Sequence, residues 1–334
     1  MEPNRIVLIS CFFVALFLTY IIGKKLIPML KRLNFGQAIK EVGPTWHETK
    51  SGTPTMGGFM MIAGILTAVI LGFVLFAIIP QNNQKFLGLG RILTSLFMVL
   101  GFALIGFMDD YLKVVKKQNL GLRAREKFGL QFLVAGAYLL QLTLLSGHST
   151  MLFVPFLGQL DVGFWIYPIY IFIILGCVNA VNITDGLDGL ASGVTCVSAI
   201  GLLATALMIG SWPGAILAIA LAGGCIGFLC WNFYPAKVMM GDVGSLFLGA
   251  MLVAIAFLLN IPMALALFGV IYVIETGSVI IQMTYYHFTK KRIFKMSPLH
   301  HHFELSGYEE IQINLMFMLI QFAGCVLGFI SVAR

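Results

Sequence analysis

Charge is what this chain has least of. Of 334 residues only 10% are charged, with 14 acidic side chains against 21 basic ones. Hydrophobic residues make up 59% and the mean hydropathy is +0.96. That leaves too little polar surface to cover a soluble globule of this length, so a soluble enzyme is excluded. No GxxxxGK[ST] loop occurs, which removes the P-loop nucleotide-binding class. Cysteines are few and lack CxxC spacing: Cys11, Cys177, Cys196, Cys225, Cys230 and Cys325 fall in or beside apolar runs and read as small buried hydrophobes. Internal repeats are absent by eye. No small-residue cleavage site stands out before Lys24, so the first apolar run is expected to be a retained span.

What is present is apolar sequence long enough to cross a bilayer, about 20 residues at a time. The expected fold is all-α: a polytopic integral membrane protein of about ten transmembrane helices, forming one catalytic domain over 1–334. The spans read as 5–23, 56–79, 90–108, 128–146, 164–181, 189–209, 213–230, 245–260, 262–285 and 311–331. Asn260 and Pro262 are the only turn signal within 245–285. The 36 glycines suit close helix packing in lipid. Between spans four and five, 147–163 reads as an amphipathic hairpin near the interface.

Basic residues set the expected orientation. Seventeen of the 21 fall on odd-numbered connections; Arg5, Lys85, Arg91 and Arg334 are the exceptions. The positive-inside rule then puts the odd connections in the cytoplasm and both termini outside. The net charge of +7 is largely explained by topology and calls for no nucleic acid; anionic membrane lipids or phosphate substrates suit it.

Polar residues concentrate in stretches on that cytoplasmic side. Gly52 to Gly58 precedes span two, where Thr55 is a candidate cap. Asp109 and Asp110 close span three; adjacent helical residues point about 100° apart, and paired carboxylates raise each other's proton affinity unless a cation intervenes. Oxygen ligands of this kind suit Mg²⁺, which commonly takes one or two carboxylates plus phosphate and water. Most of the basic segment after span three reads as anchoring, but Lys127 starts span four and is placed to reach the acids as a phosphate-binding point charge. In 179–190 the polar positions Asn179, Asn182, Asp185 and Asp188 cannot share one face of a straight helix. Gly186 and Gly189 predict a helix end near Asn182, a tight turn, and a new helix near Asp188, whose side chain would cap it while exposed N–H groups receive a ligand. Asp242 sits beside the helix start of span eight, within 240–245. His300, His301 and His302 are consecutive and so poorly spaced to converge on one metal; phosphate or sugar recognition by one or two is the better reading. His47 and His287 are weaker candidates, and His148 falls on the outer side. Glu275 interrupts span nine, either facing a cavity or marking a break.

Taken together and in order, GTPTMGG at 52–58, Asp109-Asp110, NAVNITDGLDGL at 179–190, MGDVGS at 240–245 and PLHHHFE at 298–304 resemble the phospho-N-acetylmuramoyl-pentapeptide-transferases. These belong to the polyprenyl-phosphate N-acetylhexosamine-1-phosphate transferase superfamily, and the likeness covers essentially the whole chain. The resemblance implies Mg²⁺-dependent transfer of phospho-MurNAc-pentapeptide from UDP-MurNAc-pentapeptide to undecaprenyl phosphate. Lipid I and UMP would be the products, made at a cytoplasmic-face active site in the bacterial inner membrane. By the same resemblance Asp242 is the metal ligand, and Asp109, Asp110 and Asp242 are catalytic. Lys127 is substrate-binding; Gly186, Leu187 and Asp188 lie near uridine, with Asn182 and Asp185 in the same stretch. His301 and His302 lie toward the sugar phosphate. The family often has an aromatic residue where Met239 stands; a thioether packs on a uracil ring differently. A homodimer stays open.

A phosphate monoester with a second pKa of about 6 is largely dianionic at neutral pH, so direct attack by the lipid phosphate is favoured. Asp109 then orients it, takes a residual proton, or attacks first. Three rivals remain: a related GlcNAc-1-phosphate transferase, an ion-coupled transporter, and a membrane scaffold. A transporter would carry its acids near mid-membrane, often in repeated halves, and a scaffold leaves the converging polar stretches unexplained.

Overall fold

Inside a bilayer every backbone N–H and C=O must be satisfied within the protein, and helices do this segment by segment. The apolar runs accordingly form helices in the structure, a computed structural model that describes residues 3–33, 52–78, 89–114, 116, 121–147 and 149–333. His47, His148, Lys40, Lys50, Lys85, Lys117 and Arg334 lie outside the described residues.

In chain order the helices are α1 (Pro3–Arg32), α2 (Gly58–Ile78), α3 (Leu89–Val114), α4 (Ala124–Ser146), α5 (Ile166–Thr184), α6 (Leu190–Ile209), α7 (Trp212–Asn232), α8 (Gly241–Leu258), α9 (Leu265–Phe268), α10 (Val270–Thr289), α11 (Leu299–Glu304) and α12 (Glu310–Ala333). Among the described residues nine are long and apolar enough to cross a membrane. The chain is thus an all-α polytopic membrane protein with nine or ten spans. The tenth is broken: a 3₁₀ turn at Pro262–Ala264 and α9 are bent by 85° from α10. The break falls at Gly269, whose backbone leaves the helical region (φ −141°, ψ 34°). Span nine is therefore not one helix over 262–285, and Glu275 does not mark its break but lies buried inside α10.

Several helices run past their apolar cores. α1 continues to Arg32, carrying Lys24, Lys25 and Lys31, and α3 continues to Val114, carrying Asp109, Asp110 and Lys113. Polar ends do not stop a helix, because the hydrogen-bond ladder propagates once formed; the apolar boundary marks the lipid, not the helix.

At the centre lies α8, apolar all round and buried almost throughout. It packs on α3, α5, α2 and α7, while α1 packs on α7 and α2, and α12 on α6. Lipid tails offer no hydrophobic drive for helix association, so close backbone approach supplies the packing. At the α1–α7 crossing, a Cβ on Gly223 or Gly227 would stand 2.5 Å from the carbonyl oxygen of Phe12 or Leu16. At the α3–α8 crossing, a Cβ on Gly106 would meet the Asp242 carbonyl and stand 2.7 Å from Val243 Cα. That contact brings the acidic end of α3 against the start of α8. The expected hairpin forms as β1 (Met151–Val154) paired antiparallel with β2 (Gly158–Asp161), in register from Met151–Asp161 to Val154–Gly158. Phe156, Leu157, Phe164 and Trp165 are exposed on and beside it. All six cysteines are free; Cys230 is exposed, against the expectation of burial.

Candidate active site

Because α3 extends through Asp109 and Asp110, the two carboxylates leave it in different directions. Asp109 shares a face with Lys113 one turn later and pairs with it, and its Oδ1 accepts from Leu122 N at 2.9 Å. Asp110 turns toward α8, where its Oδ2 accepts from Val243 N at 2.9 Å. It thereby caps, from a neighbouring helix, the N-terminus whose N–H groups have no intrahelical partner. Both carboxylates are buried, at 2% and 3% exposure.

The start of α8 is also strapped to the segment before α2. Gly57 N and Gly58 N donate to the Met239 and Met240 carbonyls at 2.8 and 2.9 Å, and Met239 N donates to Pro54 O at 2.8 Å. Backbone carbonyls of 239–240 therefore take the first N–H groups of α2. Asp242, in the first turn of α8, projects toward α3 and α4. Its Oδ2 lies 2.5 Å from Lys127 Nζ and 3.2 Å from Lys113 Nζ, and its Oδ1 accepts from Asn182 Nδ2 at 3.0 Å. Lys127 Nζ is also 3.9 Å from Asp109. Ligand oxygens of Asp109, Asp110 and Asp242 lie within 4.8 Å of one another, and among the described residues no other cluster of His, Cys, Asp and Glu is so placed. Hard oxygen donors at this spacing fit a divalent cation.

The turn after α5 completes one wall. α5 runs to Thr184, two residues past the expected end, so Asn182 stays helical and bridges Asp242 to Ser245 Oγ at 2.7 Å. Asn179 pairs instead with Gln131 of α4. Asp185 accepts no hydrogen bond from any described residue. Desolvation, reinforced by Asp242, Asp110 and Asp188, holds its carboxyl well above the usual range. Asp188 does not cap α6, whose N-cap is Gly189. The Asp188 carboxylate accepts from Ala236 N at 2.9 Å, its N–H goes to Glu310 Oε2 at 3.2 Å, and its carbonyl receives Asn314 Nδ2 at 2.7 Å. Gly189 N donates to Asn232 Oδ1 at 3.1 Å. The N–H groups of Asp188 and Gly189, expected to face a ligand, are thus engaged within the protein. Met239 stands half-buried beside this wall, its Sδ 3.9 Å from Asn232 Nδ2.

The three histidines do not act alike, because α11 turns them to different neighbours. His300 is buried against Glu275. His301 Nδ1 lies 2.7 Å from Glu304 Oε2, and His302 Nδ1 accepts from Lys295 N at 3.2 Å.

Sequence comparison shows the family of the chain. The Glycosyl transferase family 4 profile matches residues 92–260, which hold all three clustered aspartates. A phospho-N-acetylmuramoyl-pentapeptide-transferase of Desulforudis audaxviator is 45% identical over 324 residues, covering 94% of this chain and 95% of the relative. Proteins of the same description from Heliobacterium modesticaldum and Geobacillus thermodenitrificans are 44% and 40% identical, with at least 96% of each chain covered. The chain belongs to the phospho-N-acetylmuramoyl-pentapeptide-transferase family. As in its bacterial relatives, the apolar helices make it a multi-pass protein of the cytoplasmic membrane.

For a member of this family, the residues expected from sequence fall into two groups. Asp109, Asp110, Asp242, Lys127 and Asn182 meet in one cluster. Asp185, Gly186, Leu187 and Asp188 form the adjacent turn, against which the His300 ring lies at Gly186, while His301 and His302 pair with Glu304 and Lys295. Lys113 was missed: it had been read with the anchoring lysines. Its signal was the four-residue spacing from Asp109, legible only if α3 continues past the apolar run.

Proposed function

We propose that this chain carries out the family's reaction at the carboxylate cluster: transfer of phospho-MurNAc-pentapeptide from UDP-MurNAc-pentapeptide to undecaprenyl phosphate. The products are lipid I and UMP. One observation carries the reading: in a protein of this family, three carboxylates and two lysines converge where the ends of α3, α4 and α8 meet.

Asp242, with Asp109 and Asp110, would hold Mg²⁺, which supplies Lewis-acid stabilisation of the pyrophosphate charge. The remaining chemistry belongs to the chain's own residues. An oxygen of undecaprenyl phosphate attacks the phosphorus bonded to the sugar. The bridging bond to the uridylate breaks, and UMP leaves with the electron pair. Lys127 and Lys113 stabilise charge on the phosphoryl oxygens as that bond loosens. Asp109 is 2% exposed, with one oxygen held by Leu122 N and the other by Lys113. A carboxylate so engaged orients the lysines and the acceptor rather than attacking phosphorus. Asp110 holds α8, and therefore Asp242, in place. The 185–188 wall, Met239, His301 and His302 complete the nucleotide-sugar side, and the whole chain acts as one catalytic domain.

We place this end of the bundle in the cytoplasm and both termini outside, on the strength of the basic residues that gather there. A soluble nucleotide sugar and a membrane-held phosphate then meet at the same helix ends. The test is UMP release from UDP-MurNAc-pentapeptide by purified protein with polyprenyl phosphate and Mg²⁺. Release that needs both lipid and metal is expected. Turnover of UDP-GlcNAc in preference to the muramoyl nucleotide would assign the chain to the related sugar-phosphate transfer instead.

A further inference from the structure

Glu275 has no part in the chemistry above, yet its placement is specific. It is the only acid on α10 and is 0% exposed. Its Oε1 accepts from the backbone N of His300 at 3.1 Å, and its Oε2 lies 2.6 Å from His300 Nδ1. A carboxylate can only accept, so it holds the Nδ1-protonated ring and fixes the ring plane at two points. His300 is itself 1% exposed, and its other nitrogen, Nε2, is buried without a hydrogen-bond partner. That nitrogen is directed at Gly186. A Cβ on Gly186 would collide with Nε2 and stand 2.9 Å from Cε1 and 3.2 Å from Cδ2. Gly186 adjoins Asp185, whose carboxyl feels Asp110 and Asp242. An oriented ring nitrogen without a protein partner is thus an open hydrogen-bonding capacity at the Gly186 turn.

We infer that Glu275 is a positioning residue, which locks His300 so that Nε2 hydrogen-bonds the nucleotide sugar at the Gly186 turn. The identity of the ligand rests on the function proposed above; the Glu275–His300 pair does not. Glu275→Gln tests both. It keeps the side-chain volume and the acceptor for His300 N, but turns an amide N–H₂ toward Nδ1 and so opposes the Nδ1–H form. The expected result is a fall of at least tenfold in kcat/KM for UDP-MurNAc-pentapeptide. KM for undecaprenyl phosphate should not change.

Solid-state NMR on protein with ¹⁵N-labelled histidine rings, assigned with His300→Asn, reads the pair without turnover. Nδ1 of His300 should be protonated in the parent and lose that proton in Glu275→Gln, and saturating nucleotide sugar should shift only Nε2 of this ring. Gly186→Ala reaches the same nitrogen from the other side with Glu275 intact, and should reproduce the kinetic loss even where Glu275→Gln fails to fold. Parent-like kinetics in a folded Glu275→Gln, or an Nε2 signal unmoved by nucleotide sugar in active protein, overturns the inference. A parent protein that releases no UMP, while Glu275→Gln still moves the Nδ1 signal, keeps the pair and overturns the assigned ligand together with the reading of function.

Discussion

Replacing Asp242 with asparagine removes one charge and almost no volume, so it separates chemistry from folding. Asp242 receives donors on both oxygens: Asn182 at 3.0 Å on one, and Lys127 at 2.5 Å with Lys113 at 3.2 Å on the other. A carboxamide offers one oxygen. Aimed at Asn182, it leaves its N–H₂ group facing two ammonium ions; aimed at the lysines, it sets two amide donors against each other. The lysines can relax toward solvent, since Lys113 is 39% and Lys127 18% exposed. The loss of stability is therefore about 1 kcal/mol or less, as for a part-exposed ion pair. The cost to the reaction is larger. Losing one preorganised group that stabilises developing charge typically lowers kcat by ~10²–10³, and here a carboxylate ligand for the cation goes as well. Asp242→Asn should unfold within a few degrees of the parent, release UMP at least a hundredfold more slowly at saturating substrates, and need more Mg²⁺ for what activity remains. A folded variant that keeps more than a tenth of parental kcat, at an unchanged Mg²⁺ requirement, would refute the assignment of Asp242.

Lys127→Met should reduce UMP release more than Lys113→Met, because Lys127 is the less solvent-screened of the two and makes the shorter contact with Asp242; equal losses in steady-state rate would count against that ranking. Asp110→Ala strips the cap from α8 and leaves Val243 N–H buried and unpaired, a cost of about 1–3 kcal/mol that Asp110→Asn should largely avoid by keeping an acceptor; thermal unfolding of the two in detergent checks this. Chelation of divalent cations should abolish UMP release, and added Mg²⁺ should restore it. If chelated protein turned over normally, the cation assigned to the aspartates would be wrong.

Much of the fold was legible because a bilayer allows so few solutions. Apolar runs of span length become helices, and among the described residues nine of the ten expected spans are single helices. The errors lie where composition and hydrogen bonding part company. Apolarity ends near Met108 and Gly23, yet α3 and α1 continue because nothing in the polar segment interrupts the backbone ladder. The 262–285 run is apolar on both sides of Gly269 but bends there, where local backbone geometry and not hydropathy decides. Asp188 illustrates a different limit. Beside a turn and ahead of a helix it has every local feature of a cap, but Ala236, Glu310 and Asn314 arrive from distant parts of the chain and take its polar groups.

By itself the sequence determined the membrane class, the number of apolar runs, the family and the five aspartates worth attention. These follow from composition and from local order, which lipid and helix geometry read directly. Only the tertiary structure decided how the aspartates divide. Asp110 anchors a helix start, Asp109 and Asp242 share two lysines, and Asp188 is tied into the wall. The same holds for His300, which tertiary packing pairs with Glu275 while its ring centroid stays 4.2 Å from that of His301. Such roles depend on which helix end lies against which, set here by close backbone crossings such as Gly106 on Val243. A carboxylate's partners in a low-dielectric interior are whichever donors packing brings within about 3 Å, and no local pattern along the chain specifies them.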